Sequence, residues 1–136
     1  MPSAGEATGW LAAALVVAAG AVPLGHRALL RRRAALDSRP IRSHVFVGSL
    51  AACAGFVHAL AILPSLGSEA AIAFGMQALG PGALAFLLLV AHVGVGLRLR
   101  DPKLRGRPRV RRTHLGFATA IAVVVVLHAL LLARGT

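Results

Sequence analysis

The chain has 136 residues, of which 57% are hydrophobic, and its mean hydropathy is +0.78. This composition excludes an ordinary soluble domain, because such domains carry much less apolar sequence. The net charge is +11. We nevertheless expect no nucleic acid as a partner, because the basic residues are concentrated in two linkers between apolar segments.

Four apolar segments follow one another along the chain, and each has close to the ~20 residues that a helix needs to cross a bilayer. They cover approximately residues 9–28, 43–63, 70–98 and 113–133. The sequence therefore predicts an all-α fold, a transmembrane four-helix bundle in which residues 1–136 form a single domain.

Two of the segments contain proline. Pro23 lies near the end of the first segment, and Pro81 stands between Gly80 and Gly82 in the third. The second of these patterns predicts a kink or a local break in the helix. Membrane helices tolerate such residues when neighbours or cofactors satisfy the backbone groups that proline frees.

The positive charge is distributed unevenly between the linkers. Of the 15 Lys and Arg residues, 14 lie in the first and third linkers, namely Arg27, Arg31, Arg32, Arg33, Arg39, Arg42, Arg98, Arg100, Lys103, Arg105, Arg107, Arg109, Arg111 and Arg112. Short basic loops stay in the cytoplasm. We therefore expect an integral protein of the cell (inner) membrane, with both termini and the turn at residues 64–69 outside. Anionic lipid is the expected partner of the basic linkers.

Histidines recur at the same interval in the second and fourth segments. His44 and His58 are fourteen positions apart, and so are His114 and His128. Fourteen helical steps return to within ~40° of the starting face and climb ~21 Å. Since the second and fourth helices run in the same direction, we expect His44 to be level with His114 and His58 with His128.

Two facing neutral imidazoles suit the axial positions of six-coordinate haem iron. Zinc is the competing metal, although its sites usually require three or four ligands. The fragments RPIRSH and RVRRTH precede the two histidine segments, and each segment ends with HAL. This similarity favours two tandem helical hairpins that form a parallel internal repeat.

The histidine pattern resembles the di-haem core of the cytochrome b family. In that family the second and fourth helices of a four-helix bundle bind two b-type haems, one near each membrane face, and ferric reductase and NADPH oxidase-type membrane domains have a similar spacing. The resemblance covers the whole chain and implies that His44, His114, His58 and His128 bind the iron of two haem b groups. It does not imply bc-complex activity, because the family's further helices and quinone-site loops have no counterpart.

The same resemblance implies a pair of glycines on each neighbouring helix, at the interval of the histidines. The third segment contains two such pairs, Gly80 with Gly94 and Gly82 with Gly96, whereas the glycines of the first segment fit no such interval. We take Gly82 and Gly96 as the cofactor-binding pair.

Two arginines belong to the predicted site, and two further histidines are left unassigned. Arg42 and Arg112 precede His44 and His114 by two residues, where they would meet the propionates of the inner haem. His26 and His92 lie near the expected cytoplasmic ends of their segments. Three interpretations of them stay open: interfacial histidines that extend to the headgroups, a quinone or proton-transfer site, or a replacement for one of the four ligands.

These patterns predict transmembrane electron transfer through two stacked bis-histidine haems. The expected exchange partners are quinone, an external acceptor such as ferric iron or superoxide, or another redox protein that the sequence does not identify. No catalytic residue is predicted. The alternative is a cofactor-free helical membrane protein, such as a transporter subunit or an assembly partner, whose histidines line a proton or metal path.

Overall fold

The computed structural model describes residues 3–69 and 79–134. Within these residues the chain forms four α-helices and one 3₁₀ turn: α1 Ala4–Leu30, α2 Arg39–Ile62, the turn Leu63–Ser65, α3 Leu79–Leu99 and α4 Arg107–Arg134. Each α-helix is long and apolar enough to cross a bilayer. The all-α transmembrane fold that the sequence predicts is therefore confirmed.

A capping box fixes the start of α1. The Ser3 Oγ accepts a hydrogen bond from the Glu6 backbone N–H at 3.2 Å, and the Glu6 carboxylate accepts one from the Ser3 N–H at 2.7 Å. This reciprocal pair satisfies donors that a helix start otherwise leaves without partners. It also explains why α1 begins at Ala4, several residues before the apolar segment that the sequence shows.

The second and fourth helices begin inside the basic linkers rather than at the apolar segments. α2 starts at Arg39 and α4 at Arg107, and in both helices a proline is the second residue. Proline is well tolerated in a first turn, and arginine is a good helix former. The predicted starts at residues 43 and 113 were therefore too late, because helix formation continues past the limits of the apolar sequence.

Arg107 ties the end of α3 to the start of α4. One arm of its guanidinium donates to the Leu99 carbonyl at 2.6 Å, and the other donates to the Asp101 carbonyl. The turn between them also uses Asp101, whose carboxylate accepts the Lys103 N–H at 2.9 Å, and Gly106, whose φ of +67° favours glycine. Part of the positive charge in this linker thus holds the hairpin together.

The third predicted segment is described only from Leu79 onward. From there α3 continues to Leu99 with Pro81 in its first described turn. A proline disturbs the turn that precedes it. The predicted kink would therefore affect residues 70–78, which lie outside the described part of the chain.

The helices group into two compact units, Met1–Ala61 and Ile62–Thr136. The first contains α1 and α2, and the second contains the 3₁₀ turn, α3 and α4. Each unit is one helical hairpin and carries two of the predicted ligands. That residues 1–136 form one domain stays a prediction.

Large apolar side chains cover the outside of both units. Trp10 is 70% exposed, Val17 71% and Leu29 83%. In water such exposure would forfeit most of the free energy that apolar burial supplies. In a bilayer the same side chains contact lipid at no such cost.

The buried hydrophobic residues of the described chain are small in number and regularly placed. They are Ala19, Ala51 and Ile121. Ala51 lies seven residues from both His44 and His58, and Ile121 lies seven residues from both histidines of α4. Seven residues are close to two helical turns. Ala51 and Ile121 therefore each lie on the face of their helix that carries the two histidines.

Candidate functional site

The second histidine of α2 approaches the backbone of α1 closely. A Cβ atom added to Gly9 would meet the His58 ring at 2.9 Å from Cε1 and 3.2 Å from Nδ1. These separations are too short for any residue with a side chain unless the ring moves. Gly9 therefore allows the imidazole to reach the backbone of the facing helix.

A main-chain hydrogen bond determines which nitrogen of His58 carries the proton. Its Nδ1 lies 3.0 Å from the Gly5 carbonyl oxygen. Because a carbonyl only accepts, Nδ1 must be the donor, and the lone pair of the neutral ring is at Nε2. The Thr8 hydroxyl lies 3.4 Å from the same nitrogen and shares its proton between the carbonyls of Ala4, at 2.7 Å, and Gly5, at 3.0 Å.

The first histidine of α2 makes the equivalent bond. The Nδ1 of His44 lies 2.8 Å from the carbonyl oxygen of Ala19, a buried residue of α1. The same argument puts the proton on Nδ1 and the lone pair on Nε2. Both imidazoles of α2 are therefore held as the tautomer that binds a metal through Nε2.

The second unit repeats the contact with glycine. A Cβ atom at Gly82 would lie 2.9 Å from Cε1 and 3.2 Å from Nδ1 of His128, the distances found between Gly9 and His58. A Cβ atom at Gly96 would lie 3.1 Å from Cε1 of His114. Each predicted ligand of α4 is thus set against one of the two glycines chosen from the sequence.

The structure distinguishes the two glycine pairs of α3. Nothing lies within 4 Å of a Cβ atom built on Gly80 or Gly94, whereas Gly82 and Gly96 both contact imidazoles. The pairs are offset by two residues, which is about 200° around a helix. Only one pair can therefore face the histidines.

His92 packs on a predicted ligand. Its ring stacks on that of His114, with centroids 3.8 Å apart and an angle of 16° between the planes. His92 precedes Gly96 by four residues, so both lie on the same face of α3. This contact sets His92 beside the candidate site, whereas His26 is a half-buried residue of α1.

The sequence prediction missed the second position of the pair that begins with Gly9 on α1, because the residue there is not a glycine. In the second unit Gly82 contacts His128, and Gly96, fourteen residues later in α3, contacts His114, which lies fourteen residues before His128 in α4. In the first unit the same step along α1 leads from Gly9 to Pro23. A search for small or helix-breaking residues at this interval, rather than for glycine alone, would have found the position.

The arginines predicted to meet propionates lie at the starts of the histidine helices. Arg42 is exposed, and its Nε donates to the Asp37 carbonyl at 2.9 Å. Arg112 is also exposed. Their role toward a cofactor stays a prediction.

Across residues 3–69 and 79–134, no three histidine, cysteine, aspartate or glutamate side chains gather closely enough to hold a metal ion together. Each of the four predicted ligands instead lies against the neighbouring helix of its own hairpin. A zinc site with three or four protein ligands therefore has no ligand set in the described residues. Ligation by two imidazoles needs no such cluster.

Comparison of the chain with protein-family models, curated proteins and solved structures found no match. Its function must therefore be inferred from its own residues.

Replacing Gly9 by alanine should affect stability differently from replacing Gly20, another glycine of α1. Glycine to alanine in a helix interior gains about 1 kcal/mol. Gly20→Ala should keep this gain, because nothing lies within 4 Å of the added Cβ. Gly9→Ala should lose it, because the His58 ring must move and its hydrogen bond is worth about 1 kcal/mol. Unfolding free energies of the two variants in detergent measure the difference, and equal stabilisation would contradict the contact.

Proposed function

We propose that this protein carries electrons across a membrane through two haem b groups, each held by two histidines. His44 and His114 would bind one iron, and His58 and His128 the other. The pairing is supported by the equal spacing of the histidines and by the common direction that alternating crossings of the membrane would give the two helices. The resemblance to the di-haem core of the cytochrome b family supports the same assignment.

The observation that carries the proposal is the state of the imidazoles on α2. Both rings donate Nδ1–H to main-chain carbonyls of α1, those of Ala19 and Gly5. Histidines that bind a metal almost always donate their other ring N–H in this way, which fixes the ring and raises the basicity of the ligating nitrogen.

The glycine contacts also fit a large flat ligand. Gly9, Gly82 and Gly96 let the imidazoles lie back against the neighbouring helix of their own hairpin. In each contact Cε1 is the ring atom nearest the glycine, and Nε2 of His58 and of His128 lies 3.5 Å and 3.3 Å from the position of the absent Cβ. Small residues beside the imidazoles agree with the glycine pairs that the resemblance implies.

Haem iron, when bound, supplies one-electron oxidation and reduction. The chain's own contribution is to set two ligand levels, ~21 Å apart along each helix, toward the two sides of the bilayer. Main-chain carbonyls orient the rings on α2, and the surrounding apolar side chains keep the interior low in dielectric constant. Quinone, an external acceptor such as ferric iron or superoxide, and a separate redox protein are the exchange partners we propose.

A second candidate function is a proton or metal path without a cofactor. The stacked rings of His92 and His114 favour it, since neighbouring imidazoles are frequent in proton relays within membranes. The colour of the purified protein distinguishes the two functions, because only the first requires haem.

Purified protein from haem-replete cells should contain two b-type haems per chain. His58→Ala should reduce the content to one, because it removes a ligand from one level and leaves the other pair intact. His26→Ala is the matched control and should keep both haems. The haem-to-protein ratio and the reduced-minus-oxidised spectrum measure these outcomes.

A colourless preparation would contradict the haem proposal and favour the proton or metal path. Loss of both haems in His58→Ala, with the fold retained, would contradict the pairing of the ligands.

His92→Phe should keep both haems. Phenylalanine retains a flat ring that can stack on His114 but has no nitrogen to bind iron. His114→Ala should lose one haem under the same conditions. If His92→Phe instead loses a haem, then His92 is a ligand, and it replaces one of the four that we assign.

We also propose that both basic linkers face the cytoplasm, where they meet anionic lipid, and that both termini and residues 64–69 lie outside. The concentration of arginine in two of the three linkers supports this orientation. Electrons would then pass between the two sides of the cell membrane.

Single cysteines can test this orientation after Cys53→Ala removes the natural thiol. Gly67→Cys should react with an impermeant maleimide added to intact cells, because Gly67 is exposed in the outer turn. Ala35→Cys and Lys103→Cys, both exposed in the basic linkers, should react only after the membrane is opened. The reverse labelling pattern would contradict the orientation.

A further inference from the structure

Pro23 occupies the position in α1 that Gly96 occupies in α3. It lies fourteen residues after Gly9, as Gly96 lies fourteen residues after Gly82. It is also an interior residue of α1, which runs from Ala4 to Leu30. A proline there costs roughly 3 kcal/mol relative to alanine in an ordinary helix, so its effect on neighbouring groups must be considered.

Proline removes one main-chain donor from the helix. The N–H of residue 23 would bond the carbonyl four residues earlier, which is that of Ala19. Ala19 is buried, with 7% of its surface exposed. A buried carbonyl in a bilayer must find another donor, because an unsatisfied backbone group costs several kcal/mol there.

The donor that Ala19 receives is the imidazole of His44. The Nδ1 of His44 lies 2.8 Å from the Ala19 oxygen. This is shorter than the 3.0 Å between His58 Nδ1 and the Gly5 oxygen, and the Gly5 oxygen also accepts the Thr8 hydroxyl. The Gly5 carbonyl is also the helical acceptor for the N–H of Gly9, four residues later, whereas proline at position 23 offers no N–H to Ala19. The two imidazoles of α2 therefore meet acceptors of different kinds.

We infer that Pro23 is a positioning residue for His44: by withholding its N–H it reserves the Ala19 carbonyl for the His44 Nδ1–H, which keeps the lone pair on Nε2. The inference rests on the proposed function only for the purpose of this tautomer, which is to let Nε2 bind iron. The tautomer itself is a property of the haem-free chain. The inference can therefore fail or hold independently of whether haem binds.

Restoring the N–H at position 23 should weaken the preference of His44 for the Nδ1–H tautomer. In Pro23→Ala the amide of residue 23 competes with His44 for the Ala19 carbonyl. The ratio of the Nδ1–H to the Nε2–H form of His44 should fall by about fivefold, the effect of losing one hydrogen bond of average strength. Pro108→Ala is the matched control, because Pro108 lies in the first turn of α4, where the N–H has no helical acceptor.

The test is nitrogen NMR of the haem-free, full-length protein labelled in histidine, in detergent at a pH where imidazole is neutral. The His44 signal is identified by its loss in His44→Gln. The unsubstituted protein should show His44 as the Nδ1–H tautomer, Pro23→Ala a mixture, and Pro108→Ala no change. An Nε2–H tautomer in the unsubstituted protein, or an unchanged ratio in Pro23→Ala, would overturn the inference.

A second measurement uses the haem-loaded protein. A weaker bond to Ala19 makes His44 a poorer electron donor to iron, so the midpoint potential of one haem should rise in Pro23→Ala while the other stays unchanged. A proline that only bends the helix would change the melting temperature and leave both the tautomer and the potential as they were. If no haem binds, the proposed function fails, and the NMR result still decides the role of Pro23.

Discussion

The contact between an imidazole and the backbone of the facing helix sets the geometry of both hairpins. Helices in lipid gain little from burying apolar side chains, so their association depends on close packing of small residues and on polar contacts. The histidines and their glycines supply both. His58 against Gly9 and His128 against Gly82 reach the same 2.9 Å approach to Cε1. The histidines are thus part of what holds each hairpin together, besides being candidate ligands.

The hairpins agree at the second histidine of each helix and differ at the first. His44 bonds the carbonyl of Ala19 in the helix that contains Pro23, whereas His114 rests on Gly96 and stacks with His92. One ring is oriented by a main-chain acceptor, and the other has a second imidazole on its face. Two predicted ligands that look equivalent by spacing therefore have different surroundings, and such surroundings affect how strongly an imidazole donates to a metal.

The fold and the histidine faces could be predicted because both depend on simple periodicity. Long apolar segments indicate membrane helices, and an interval of fourteen residues returns to one face. The ends of the helices could not be read this way, because the Ser3–Glu6 capping box and the arginines after Arg39 extend helices beyond the apolar sequence. Hydropathy carries no information about either effect.

The details of the site could not be predicted from the sequence because they depend on how neighbouring helices align. The role of Pro23 depends on which carbonyl it frees and on which side chain reaches that carbonyl, and this is a matter of register between helices. The stack of His92 on His114 depends on register as well. A search that expected glycine on α1 missed the equivalence of Pro23 in α1 and Gly96 in α3, since two chemically unlike residues occupy corresponding positions.

Ala51 and Ile121 give the histidine faces a further property. Each is buried, 1% and 3% exposed, halfway between the two histidines of its helix. Neither side chain has a dipole that could screen a charge at one histidine of its helix from a charge at the other. Across ~21 Å, with an effective dielectric constant of about 20, two unit charges repel by about 0.8 kcal/mol. A charge at one predicted level would therefore make the same step at the other about fourfold less favourable, so that the two predicted sites would be anticooperative.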